Sequence, residues 1–85
     1  MAKNQMLLHC FWEGCPIFND ITKFETKLRR YCKIVSKNPD WDTCPESKGK
    51  YYSIRYSVTV RYKDMFPLGQ FLLKLPHGLH HYRFL

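Results

Sequence analysis

Four cysteines and four histidines are the first residues in this chain that could do chemistry, since together they could furnish the nitrogen and sulfur ligands of a tetrahedral zinc site. Their spacing does not favour it. Cys10 and Cys15 are separated by four residues, Cys32 falls on an apolar repeat beside Leu28 and Val35, and Cys44 stands alone with no Cys-x-x-Cys partner. His77, His80 and His81 lie close in sequence, but strand alternation sends His80 and His81 to opposite faces, which leaves a pH-sensitive surface rather than a shared metal. Asp40, Asp42 and Glu46 sit beside Pro39 and Pro45 and read as a solvated loop, not as a general acid and base. A nucleophile pair of Cys10 with His81 would need neighbouring strands to align it. Neither a Gly-rich phosphate loop nor a serine elbow occurs. The expectation is a non-enzymatic protein with no catalytic, metal or cofactor-binding residues.

The cations are the stronger signal. Fourteen Lys and Arg stand against seven Asp and Glu, for a net charge of +7, which favours an anionic partner. Between Lys23 and Lys37 six cations, among them Lys23, Lys27 and Arg30, face Glu25 alone. The segment Ser47 to Lys63 adds Lys48, Lys50, Arg55, Arg61 and Lys63 with no acid. With Tyr51, these residues form the expected binding surface: a helix face and an open sheet face. Arginine there could hold phosphate and a tyrosine could stack on an unpaired base. The competing reading is a solvated face whose charges protect strand edges, and an RNP-type aromatic pattern is missing.

The elements that would position these residues follow from periodicity. Met6 to Trp12 alternates as a first strand bounded by Gly14 and Pro16. Ile21, Phe24, Leu28, Tyr31, Cys32 and Val35 recur at three and four residues, which predicts an amphipathic helix opened by Asn19 or Asp20, or by a capping box of Thr22 and Glu25, and stopped by Asn38-Pro39. Pro39 to Gly49 reads as a loop or a short irregular strand near Trp41 to Cys44. Tyr51 to Lys63 has period two, with Tyr52, Ile54, Tyr56, Val58, Val60 and Tyr62 on the apolar side. Asp64 caps a second helix with Pro67 in its first turn and Leu68, Phe71, Leu72 and Leu75 as its buried stripe, and Leu79 to Leu85 forms a last strand. Trp12 and Trp41 read as packing residues.

At 85 residues, 45% of them hydrophobic, the chain has room for one domain spanning 1–85 with one small core. The element order predicts an α+β, ferredoxin-like βαββαβ sandwich, an antiparallel sheet with two helices on one face. No apolar stretch reaches the roughly 20 residues that span a bilayer, and the N-terminal stretch lacks a secretory cleavage pattern. These features predict a cytoplasmic protein with reduced thiols that does not engage membranes.

The stretch SKGKYYSIRYSVTV resembles the third-strand signature of the YbeD-like family, in which a Ser-Lys-Gly-x-Tyr-x-Ser turn leads into an alternating strand; Ser47, Lys48, Gly49, Tyr51 and Ser53 carry the match. The N-terminal strand does not share it. The resemblance implies a ferredoxin-like, ACT-like domain without enzymatic activity, of a kind that pairs through sheet faces or edges, so a homodimer is one expectation. The functional expectation is a small basic domain that engages and modulates a protein partner with an acidic surface, as a regulator or phage-type inhibitor. The alternative is an RNA- or DNA-binding module using the basic open sheet face.

Overall fold

The computed structural model describes residues 3–13 and 18–85. The chain runs β1 (Lys3–Trp12), α1 (Phe18–Leu28), β2 (Lys33–Thr43), β3 (Lys50–Arg61), α2 (Met65–Leu73) and β4 (Leu79–Phe84), with short 3-10 turns at Tyr62–Asp64 and Pro76–Gly78. The four strands form one antiparallel sheet in the order β2-β3-β1-β4. That order is compatible with the ferredoxin-like plan, in which each helix crosses over from one strand to a non-adjacent one. The expected α+β fold is therefore the one observed. The turn around Gly14, Cys15 and Pro16 lies outside the described residues.

One face of the sheet meets both helices. Leu8, Cys10 and Trp12 of β1 and Ile54, Tyr56, Val58 and Val60 of β3 pack with Ile21, Phe24 and Leu28 of α1 and Leu68, Phe71 and Leu72 of α2. The alternation read from the sequence thus selects the buried face of both central strands. Aromatic rings knit the layers: Phe24 stacks on Phe71 at 5.7 Å and meets Trp12 edge-on at 5.3 Å. Among these apolar side chains sits one carboxylate. Glu25 is buried, accepts hydrogen bonds from Lys37 Nζ at 3.0 and 3.1 Å and from Tyr56 Oη at 2.9 Å, and has Arg29 at 3.8 Å. It ties α1 to β2 and β3 rather than capping its helix, because its helical position points it at the sheet.

The first helix is shorter than its periodicity suggests, and β2 is longer. The helix ends at Leu28, where Arg30 N–H donates to Lys27 O and Tyr31 N–H to Leu28 O, a tightened last turn. From Lys33 the chain is extended and pairs with β3 from Thr59 to Lys50. Lys33 and Lys37 therefore stand on a strand, not on a helix face. A three-four spacing over Tyr31, Cys32 and Val35 was matched by chance, and the branched Ile34 and Val35 favour the strand. A bulge between Ile34 and Ser36 turns Val35 out into solvent. Pro39 is tolerated because β2 is an edge strand. Leu75 also departs from expectation: it has φ 48°, ends α2 and is exposed. Asp64 stands at the N-cap of α2 but its carboxylate accepts no hydrogen bond from the helix backbone; it accepts from Arg61 Nε at 2.8 Å.

Candidate functional site

The sheet face turned away from the helices carries a compact polar group. His9 of β1 stands opposite Arg55 of β3 and Arg83 of β4, and Arg55 is in turn paired with Asn38 of β2. Asp42 accepts from an Arg55 terminal nitrogen at 2.9 Å and lies 3.7 Å from His9 Nε2. Asp42 also accepts from the Thr43 backbone N–H, the principal reason its carboxyl is held below the ordinary range, with Arg55 and His9 adding to it. His9 is buried, and burial pushes its pKa down, helped by the charges of Arg55 and Arg83, while Asp42 opposes. Next to it Phe11 is fully buried, 4.2 Å from the His9 ring and 5.9 Å from His81.

The β2–β3 loop reaches His81 beside this group and gives the Ser-Lys-Gly-x-Tyr-x-Ser stretch a structural meaning. Glu46 reaches His81 Nδ1 at 2.7 Å, drawing the loop toward β4. Ser47 Oγ donates to Tyr51 Oη at 3.1 Å, Lys48 takes φ 58°, and a Cβ on Gly49 would lie 2.9 Å from the Tyr51 ring. Ser53 is buried and donates to Asp40 O at 3.3 Å. Tyr51 is half-buried and stacked on His80 at 4.5 Å. Its ring is thus occupied within the chain, and Arg55 is ion-paired.

The residues singled out from the sequence do not form one surface. Lys23 and Lys27 are exposed on α1, Lys48 lies in the β2–β3 loop and Lys50 opens β3, and Arg61 ends β3 with Lys63 in the turn that follows. Eleven rises of ~3.3 Å separate the first and last residues of β3 by ~36 Å. Arg30 and Arg61 do converge. Together with Arg29, Lys33, Tyr31, Cys32, Ile34, Thr59 and Asp64 they line a cavity of about 440 Å³ where α1, β2 and β3 meet.

Two of the described cysteines, Cys10 and Cys32, are not activated as nucleophiles. Cys10, Cys32 and Cys44 are free and buried. Burial pushes the Cys10 thiol well up and raises Cys32 to about 11, the latter with help from Asp64, so neither ionises near neutrality. Cys10 belongs to the core while His81 lies beside Phe11 on the opposite face, so the two do not pair. Among the described residues no group of three or more His, Cys, Asp or Glu is placed to hold a metal ion.

Sequence reading missed the outer face of α2. Phe66 and Leu73, seven residues apart and hence on one side of the helix, are 75% and 65% exposed. Tyr62, in the preceding turn, is 75% exposed, and Lys63 and Lys74 flank the stretch. The signal was present in MFPLGQFLL: apart from Gly69 and Gln70 it is apolar on all sides, more than one buried stripe requires. Comparison of the chain with protein-family models, with curated proteins and with solved structures returns no match.

Proposed function

We propose that this chain is a small basic, non-enzymatic binding domain that engages an acidic protein partner through the outer face of α2 and modulates it by occupying its surface. The observation that carries this reading is the pair Phe66 and Leu73, held out in solvent on a helix whose other face is fully packed. Large apolar side chains grouped on an ordered element gain about 1.5–3 kcal/mol each when a partner covers them. Lys63 and Lys74 at the two ends of the face select an acidic rim and speed encounter. The same lysines disfavour a second copy of the chain there, since an isologous contact would bring cations from both copies together on a molecule already at +7.

Nucleic acid on the sheet face has less support, because Tyr51 is stacked on His80 and Arg55 is paired with Asp42. A regulator or phage-type inhibitor, cytoplasmic with reduced thiols, remains the setting we propose. Free Cys10, Cys32 and Cys44 support the reduced state, and among the described residues no helix is long and apolar enough to cross a membrane. Membership of the YbeD-like family is part of the same proposal, supported by the sheet plan and by the turn that Ser47, Gly49 and Tyr51 build. The test is a pull-down from lysate of the source cells with and without nuclease. A stoichiometric protein retained after nuclease and lost with Phe66→Glu plus Leu73→Glu is the expected result; loss of all retained material on nuclease treatment contradicts the proposal.

A further inference from the structure

The cavity at the end of α1 has a composition that partner binding through α2 does not use. Arg29, Arg30 and Tyr31 reach it from the turn that closes the helix, Lys33 and Ile34 from the start of β2, Thr59 and Arg61 from the end of β3. Four cations thus surround one space whose single acid, Asp64, is already bonded to Arg61 Nε at 2.8 Å. That bond fixes the guanidinium and leaves its terminal nitrogens to donate elsewhere. Arg29 is shared with Glu25 at 3.8 Å, whereas Arg30 and Lys33 have no acidic partner among the described residues. Gathering cations in this way costs repulsion that an anion relieves.

We propose that this cavity binds a small phosphate-bearing molecule of about mononucleotide size. Volume is the first argument: about 440 Å³ lies within the range of small-molecule sites, roughly 300–1,000 Å³, and exceeds what a free inorganic anion fills. Charge is the second. A phosphate monoester carries close to two negative charges and three acceptor oxygens, matching forked guanidiniums and an ammonium better than a single carboxylate does. The third is the half-buried apolar surface that Ile34 and Tyr31, the latter with one ring face stacked on Phe71 at 5.3 Å, add to the lining beside an organic body. Cys32, protonated at neutral pH, adds no competing charge, and the site holds no group placed to transform its ligand.

The inference is independent of the α2 reading and can be tested apart from it. Isothermal titration of the full chain with AMP, with adenosine and with inorganic phosphate is the direct experiment, repeated on Arg30→Ala plus Lys33→Ala and on Lys23→Ala plus Lys27→Ala. Saturable AMP binding, at least about tenfold tighter than adenosine or phosphate and weakened at least about tenfold by the first pair only, is the expected result. Arg30 and Lys33 are exposed, so thermal melting should be unchanged and the loss attributable to the site. The Phe66→Glu plus Leu73→Glu chain should bind AMP normally. Equal affinity for AMP and adenosine, or equal losses from both pairs of substitutions, overturns the proposal. A short 5′-phosphorylated strand binding much more tightly than AMP also overturns it, by assigning the phosphate contacts to nucleic acid.

Discussion

Glu25 shows how much one side chain can decide. Its carboxylate accepts from the buried Tyr56 hydroxyl and is the counter-charge for Lys37, whose own side chain is 46% exposed. Removing the carboxylate strands the hydroxyl, which has no route to water; removing the hydroxyl leaves Glu25 still paired. Glu25→Ala should therefore cost about 2–3 kcal/mol and Tyr56→Phe about 1 kcal/mol, read from urea denaturation. Equal losses would contradict this asymmetry. His9 gives a pH dependence of definite sign. Burial and the neighbouring Arg55, Arg83 and His81 lower its folded pKa below the ordinary ~6.5, with Asp42 partly opposing, so the unfolded chain takes up the proton first. Its contribution to stability is complete above pH ~6.5 and declines as pH falls from there toward the lowered folded value. Melting temperature should drop between pH 7.5 and 5, and His9→Gln should flatten that part of the curve; an unchanged slope in the variant would remove His9 as its source.

At the scale of elements, what was legible was what depended on burial. The alternation of β3 and the stripe Leu68, Phe71 and Leu72 in α2 describe sides packed against something and lie where periodicity puts them, whereas Tyr62 and Leu75, which continue the two patterns past the ends of the elements, are exposed. Two kinds of information were not available. The α1–β2 boundary depends on pairing between residues 21 to 26 positions apart in sequence, such as Ile34 with Val58, which no local spacing encodes. For the same reason local spacing places Lys33 and Lys37 on a helix face and hides the convergence of Arg30 with Arg61. The second kind is surplus: once Leu68, Phe71 and Leu72 satisfy the core, Phe66 and Leu73 have nothing left to bury them, but a sequence does not say how wide a core is. The Ser47 to Ser53 stretch shows the reverse. Lys48, Lys50 and Tyr51 stand among the expected binding residues, and the structure uses Ser47, Gly49, Tyr51 and Ser53 to brace the hairpin.

Across the whole molecule the excess of cations is divided among separate places. Lys48 and Lys50 mark one end of the sheet, Arg29, Arg30, Lys33 and Arg61 surround a cavity at the other, and Lys63 and Lys74 frame an apolar helix face. A partner held mainly by charge would dissociate steeply with salt, whereas one held by Phe66 and Leu73 would lose on-rate and little else. The central claim is that the α2 face makes the contact. The affinity of the retained partner for the native chain, for Phe66→Glu plus Leu73→Glu and for Lys23→Ala plus Lys27→Ala is the measurement that tests it most directly. The account predicts a loss of at least about thirtyfold for the α2 pair, consistent with losing about 2 kcal/mol or more of apolar contact, and less than about threefold for the α1 pair. An unchanged affinity of the α2 pair, with the loss falling on Lys23 and Lys27, would contradict it.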